Sequence, residues 1–249
     1  MNAYFYNFGA LNNFCNQALK YSKNIVQEKS GKTVYQAKED GTILVEYKDS
    51  AGISSRTEAK IKDLGEKHLF INSFFLDYLN AYNVPTGYKK VEDNCLILQQ
   101  FSSYPFSITI SNIIDKRTSK IFEKPDGTFL VLPVFEFRYG SSKDNLITES
   151  HLISLDILSI EELKVIKRIC TKVNAVLKSY FERRNSFLAE ITCYFGKDED
   201  KIFIVDDFTP VSLKVLPLDP GQKNINPYKI KTPADYKDYV EFILSLTKY

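Results

Sequence analysis

Three short stretches of this 249-residue chain combine residue types that could do chemistry. Ser30-Gly31-Lys32-Thr33-Val34-Tyr35 leads into a β-rich run. A glycine there lets backbone approach a phosphate, and the lysine supplies a point charge for it. The spacing is neither a Walker A loop nor GxGxxG, so a surface turn with a solvated lysine is the competing reading. Ile202-Phe203-Ile204-Val205-Asp206-Asp207-Phe208-Thr209-Pro210 is an apolar run that delivers two carboxylates at its end. Hard oxygen donors at a strand end suit Mg²⁺ bound together with nucleotide phosphates, because that ion keeps several waters and needs only one or two carboxylates. A cap on a helix or turn is the alternative use of such aspartates. Lys143-Asp144-Asn145 with Thr148-Glu149-Ser150-His151 reads as a polar loop, which either carries function or only connects. Neither His68 nor His151 has a carboxylate or nucleophile neighbour that would make a triad, so both are expected to be structural or solvated.

The elements that would position these stretches follow from periodicity. Leu11, Phe14, Ala18, Leu19, Tyr21 and Ile25 suggest an amphipathic helix over residues 10–26. TVYQAK and TILVEY around Glu39-Asp40-Gly41 form a hairpin. LGEKHLFINSFFLDYLNAYNVP is a helix whose stripe of Phe70, Ile71, Phe74, Phe75, Tyr78, Leu79 and Tyr82 should pack against a sheet before Asn83 and Pro85 stop it. Strands follow at 95–101, 106–111 and 129–137, the last, FLVLPVFEF, too apolar for a surface strand. Ser159 and Glu162 make a capping box for a long helix carrying Ile160, Leu163, Ile166, Ile169, Val173, Val176, Leu177 and Tyr180. FLAEITCYF and KIFIV form a second hairpin around 196–200, and Thr232-Pro233-Ala234-Asp235 caps a final helix. A mixed, mostly antiparallel sheet with helices is the expected α+β result.

Composition narrows the function classes. With 33 basic and 31 acidic residues interleaved, the chain has no single-sign field to attract nucleic acid or an anionic membrane. Cys15, Cys95, Cys170 and Cys193 lack C-x-x-C pairing, which points to buried free thiols rather than a zinc or redox site. The first residues lack a signal-peptide pattern and no apolar run approaches membrane-spanning length, so the expectation is a cytoplasmic protein.

The order and spacing of these features resembles the SAICAR synthetase family over about residues 28–246. Its GKAKxVY strand corresponds to Ser30-Gly31-Lys32-Thr33-Val34-Tyr35, and its E-F/Y-K-D strand end to Glu46-Tyr47-Lys48-Asp49. Its A-G-I-P-T phrase is similar to Ala81-Tyr82-Asn83-Val84-Pro85-Thr86, and its P-P-I-V-E-F-Y-Y strand to 132–139. The D-P-M-I-N-E-D-H-I loop matches 144–152, the K-V-N-E-V-L-K helix 172–178, D-F-K-L-E-F-G 190–196 and A-D-E-I-S-P-D 205–211.

The resemblance implies a two-lobed fold related to kinases and ATP-grasp ligases. A small N-terminal lobe with an antiparallel sheet would span 28–101 and a larger C-terminal α+β lobe 102–249, with 1–27 as a helical extension. ATP would lie between the lobes against Gly31, Lys32, Val34 and a hinge of Leu98, Gln99 and Gln100. Lys32 and Asp206 would be catalytic, and Asp206 with Asp207 or Glu190 would hold Mg²⁺. Substrate would meet Ser111, Asn112, Arg117, Asp144, Thr192, Thr209 and Lys214. The implied reaction phosphorylates a carboxylate with ATP and lets an amine, aspartate for one, displace phosphate, so the expected partners are small molecules and a homo-oligomer is allowed.

The departures from the family pattern lie on the substrate side. The V-V-R-N-x-A-A-G-S phrase, whose Arg and Ser grip the ribotide phosphate, aligns with Thr109–Arg117, keeping only Asn112 and putting Ser111 in place of the arginine. The D-F-K lysine is Thr192, the following glutamate is Tyr194, and the arginine after S-P-D has its counterpart in Lys214. Losing a guanidinium fork weakens phosphate binding by on the order of 1.5–3 kcal/mol per charged hydrogen bond. The resulting expectation is an amide-forming ligase with an altered carboxylate substrate. Ordinary SAICAR synthesis, with Lys116 and Arg117 supplying the charge, and a non-catalytic nucleotide-binding paralogue are the alternatives.

Overall fold

The computed structural model describes residues 25–29, 31–36, 42–54, 57–140, 145–219, 221 and 225–248. Residues 10–24 of the helix expected over 10–26, Cys15, the Glu39-Asp40-Gly41 turn and Asp144 lie outside the described residues. In chain order come β1 (Ile25–Lys29), β2 (Lys32–Gln36), β3 (Thr42–Tyr47), β4 (Ser50–Ser54), β5 (Thr57–Lys60) and α1 (Leu64–Ala81). Then follow β6 (Tyr88–Glu92), β7 (Cys95–Gln99), β8 (Ser102–Ile113), α2 (Lys116–Phe122), β9 (Phe129–Tyr139), β10 (Leu146–Ile147) and α3 (Glu149–Ser154). The chain ends with α4 (Ile160–Glu182), β11 (Ser186–Asp198), β12 (Lys201–Asp206), β13 (Leu213–Pro217) and α5 (Pro233–Thr247).

Two antiparallel sheets organise the molecule. The first has the order β1-β2-β3-β7-β6, and the second β10-β9-β8-β11-β12 with β13 also on β11. The chain crosses between them at Gln99–Ser102. A second seam lies at the Pro85–Gly87 segment, where Ile204 N donates to Pro85 O and Gly87 N to Ile204 O. The segments approach closely at Gly87, where a Cβ would come to 3.1 Å from the Phe203 ring.

The helices are set by their caps and apolar faces. Ser159 and Glu162 form the expected capping box on α4, and Glu162 also accepts hydrogen bonds from Tyr104 of β8 and Lys197 of β11. Thr232 and Asp235 do the same for α5, whose Tyr236, Tyr239, Val240, Ile243 and Leu246 are all buried as their spacing requires. No helix among the described residues is long and apolar enough to cross a membrane. Cys170 and Cys193 are buried free thiols.

Four expectations need correction. Residues 25 and 26 are strand, since β1 pairs with β2 and carries the first sheet back to Ile25. On α1 the buried face runs through His68, Ile71, Asn72, Phe75, Leu76 and Leu79, while Phe70 and Tyr82 are exposed. The aromatic stripe is rotated because Phe74 and Tyr78 stack along the helix and meet Tyr180 of α4 at the margin of the core. The FLVLPVFEF strand is largely a surface strand: Val131 is 93% and Leu132 78% exposed. It is the sheet's penultimate strand, flanked on one side by a two-residue neighbour, and only its later part reaches the core, through Phe135 and Phe137. Finally, the polar segment after residue 147 is helical, with Thr148 and His151 forming the cap of α3.

Candidate active site

Gly31 begins the site. Its φ of +79° is in the left-handed region, and a Cβ would stand 2.7 Å from Ser50 O, so only glycine fits. The turn it makes, tied by Lys48 N donating to Gly31 O, sends Lys32 inward. Lys32 is 6% exposed, and its Nζ donates to Asp207 Oδ2 at 3.0 Å. That pair joins the first sheet to the loop after β12. Burial alone would raise the Asp207 carboxyl, but the Lys32 ammonium and the Thr209 N–H outweigh it and hold it below its ordinary range. Asp207 therefore stays an anion inside the protein.

The loop carrying Asp207 is locked from below. Asn72, on the buried face of α1, accepts from Phe208 N through Oδ1 and donates to the Tyr47 hydroxyl through Nδ2. Asp49 accepts from Asp63 N and Gly65 N, capping α1 from the end of β3. Ser212 Oγ closes the loop by donating to Asp207 O. His68 is buried between the Tyr47 and Tyr236 rings, with Nε2 3.0 Å from the Tyr236 hydroxyl. Burial pushes its imidazole down to about 4 against the pull of Asp207. Gly31, Lys32, Tyr47, His68, Asp207 and Thr209 line a cavity of about 40 Å³, space for one or a few waters or a small ion.

The remaining nucleotide-side residues divide. Val34 is half-buried on β2 and packs on the core. Leu98 is 2% exposed, so its side chain belongs to the core of the first sheet. Gln99 donates its N–H to Gly87 O, and Gln100 is exposed at the crossing to β8. Asp206 closes β12 opposite Tyr194, and its side chain lies outside the described residues.

The second sheet turns a polar face away from α4. Strand pairing places Val134, Ser111, Glu190 and Lys214 in one row, Glu136, Thr109 and Thr192 in the next, and Arg138, Ser107 and Tyr194 in a third. Thr109 and Thr192 are hydrogen-bonded at 3.0 Å, and Arg138 donates to Thr109 Oγ1 and to Glu136. Arg117, at the start of α2, donates to the other oxygen of Glu136. Lys214 Nζ donates to Pro210 O and Val211 O, which brings the end of the first row to the Asp207 loop. Thr209, 1% exposed, lines the cavity.

Asn112 points the other way. It is 1% exposed and exchanges hydrogen bonds with Asn174 of α4 while donating to Leu188 O, so its amide is committed to holding the sheet on the helix. Lys32, Asp207 and Thr209 are thus brought together. Ser111, Thr192, Glu190, Arg117 and Lys214 share one face, and Leu98 and Asn112 are core residues. Sequence reasoning missed Asn72, Tyr47, Glu136 and Arg138. An asparagine within the apolar register of α1 was the available signal for the first, while the others needed the strand register.

The chain is similar to known proteins in both sequence and structure. The SAICAR synthetase family model matches residues 27–229. The phosphoribosylaminoimidazole-succinocarboxamide synthase of Thermoanaerobacter sp. (strain X514) is 26% identical over 192 residues, 76% of this chain and 82% of that protein. That of Bacillus subtilis (strain 168) is 26% identical over 204 residues, covering 80% and 85%. A structure of a type-2 SAICAR synthetase in complex with ADP superposes with a TM-score of 0.80 at 23% identity, covering 89% of this chain and 97% of that one. The type-1 structure of SAICAR synthetase from Pyrococcus horikoshii OT3 gives 0.75 at 25% identity, over 86% and 97%. The chain belongs to the SAICAR synthetase family of ATP-dependent, amide-forming ligases.

Proposed function

We propose that this enzyme joins a carboxylate to an amine through an acyl phosphate, and that its carboxylate substrate differs from the family's ribotide. The observation that carries this reading is the contrast between the two sides of the site. Lys32 and Asp207 stand as a buried pair where ATP phosphates and metal are expected, whereas Ser111 and Thr192 put hydroxyls where the family has an arginine and a lysine.

In the proposed reaction a carboxylate oxygen attacks the γ-phosphorus of ATP. The bond to the bridging oxygen breaks and ADP leaves. The amine lone pair then attacks the acyl carbon, inorganic phosphate departs with the C–O electrons, and the nitrogen loses a proton. Gly31 allows close backbone approach and Lys32 offers its ammonium to the phosphates, at the cost of its contact with Asp207. Asp207, released and already ionised, can serve Mg²⁺ with Asp206 and Glu190. The donor set fits, being hard oxygens only. Mg²⁺ needs only one or two carboxylates, so phosphate oxygens and water would complete the shell. Mg²⁺ there would supply neutralisation of phosphate charge.

Ordinary SAICAR synthesis from carboxyaminoimidazole ribotide and aspartate is the second reading, supported by the named relatives and by Arg117 and Arg138 on the acceptor face. ADP release with ATP, aspartate and that ribotide decides between them. Nucleotide binding without ribotide-dependent turnover supports the altered substrate; saturable turnover removes it. Asp206→Asn should abolish Mg²⁺-dependent turnover while the thermal transition persists, and a fully active variant would place the metal elsewhere.

A further inference from the structure

Beside Ser111, the end of β8, α2 and β9 enclose a pocket of about 340 Å³, within the range of small-molecule sites. Its walls are Ile113, Ile114, Phe122, Leu130 and Val134. Phe122 is 65% and Val134 42% exposed, so apolar surface is left to water where a concave site could cover it. The charges around the pocket leave little to grip a phosphate. Its lining includes the carboxylates of Asp115 and Glu136, with Lys124 as the cation. Glu136 is already paired with both Arg117 and Arg138, and Asp115 lies in the field of the same two guanidiniums. Two arginines are therefore balanced by two carboxylates. That leaves Lys124 as the one cation not matched by a lining carboxylate, a single charge against the two of a phosphate dianion.

The pocket also communicates with the chemistry. Ser111, Glu190 and Lys214 are register neighbours on three adjacent strands, so the Ser111 mouth lies about 10 Å from Lys214 at roughly 4.8 Å per strand. Lys214 is hydrogen-bonded to the loop between Thr209 and Leu213.

Resting on the ligase reading above, we infer that this pocket binds the body of the carboxylate substrate, which is an apolar, uncharged group such as an aromatic ring rather than a ribose phosphate. The acid's carboxylate then extends past Ser111 along the row toward Lys214 and Thr209.

The chain contains no tryptophan, so the emission of an indole probe can be read without background. Indole-3-carboxylate titrated with the full chain in the presence of ADP and Mg²⁺ should bind saturably and more tightly than carboxyaminoimidazole ribotide, measured by its displacement of the probe. Val134→Asp adds a carboxylate at a half-exposed position that tolerates it and should weaken the probe at least about tenfold, while Val134→Leu should stay within about threefold. Tighter binding of the ribotide, or equal probe affinity in Val134→Asp and the parent, would overturn the inference. So would a second copy of the chain covering this face, read as a dimer by sedimentation that the Val134→Asp change dissociates. If ADP and Mg²⁺ stabilise the protein but the probe does not bind, the pocket assignment fails and the ligase reading stands. If they give no stabilisation either, the ligase reading fails with it.

Discussion

The Lys32–Asp207 cleft and the wall made by β9 and α2 are embedded differently. In the cleft, Lys32 is 6%, His68 3%, Asn72 0% and Thr209 1% exposed, and the first three contact groups from a distant part of the chain. On the wall, Phe122 is 65% and Val134 42% exposed, and the arginines are held mainly by one glutamate. A cleft built into the core can change little without loss of fold. A wall on the rim can change its residues while the scaffold stands, which is how one family could keep its nucleotide chemistry and exchange its acceptor.

Removing Lys32 should break this comparison most directly. Lys32→Met leaves Asp207 an uncompensated buried carboxylate, which should cost about 3–5 kcal/mol in urea unfolding and reduce turnover by on the order of 10²–10³-fold. The double variant Lys32→Met/Asp207→Leu should recover much of that stability and none of the activity. A single variant as stable as the parent would mean that the pair is a surface contact.

How much of this could be read beforehand depended on the range of the interactions. The caps of α4 and α5 were legible because Ser159/Glu162 and Thr232/Asp235 act within four residues. The β2–β3 and β11–β12 hairpins were legible because their partners are adjacent in sequence. The rotation of α1 was not, since its buried face is chosen by β3, β6, β7 and α5 together. Likewise β13 and the short β6 carry no alternation strong enough to show pairing, and Asn112 looked like a ligand group until the register turned it toward Asn174. The pair of Lys32 with Asp207 spans 175 residues, so sequence could propose each residue but not their meeting.

The next effect separates the cleft's groups by pH. The His68 pKa is pushed from 6.5 to about 4, so from pH 6.5 downward the unfolded chain takes up a proton that the folded chain refuses. That stability is complete above pH 6.5 and declines to a loss of up to about 3 kcal/mol near pH 4. Asp207 has its pKa lowered, so its contribution is present above the usual carboxylate range and disappears only as pH falls further. His68→Gln should flatten the stability profile between pH 6.5 and 4 and leave the lower acid transition. An unchanged slope in that interval would show that another group titrates there.

Asn72→Leu should have a smaller, purely local effect. It leaves the Phe208 N–H without its acceptor, at about 1–3 kcal/mol when water cannot reach it. ATP affinity should fall with stability, because the Asp207 loop loses its support. A loss of stability with unchanged nucleotide binding would separate the clamp from the site and weaken the contrast between cleft and wall.

The smallest effect is expected at Val131, and it tests the wall from the opposite direction. The apolar FLVLPVFEF run predicts a buried strand, for which Val131→Lys would bury a charge and unfold the domain. With 93% of the side chain in water, the substitution removes no packing and creates no unpaired interior charge. Its effect on unfolding free energy should stay within about 0.5 kcal/mol, the usual range for a surface change. Because Val131 does not line the pocket formed by Ile114, Leu130 and Val134, probe binding should be unchanged as well. A destabilisation of about 2 kcal/mol or more would mean that β9 is covered in solution, and the exposed rim on which the comparison rests would then be an interface.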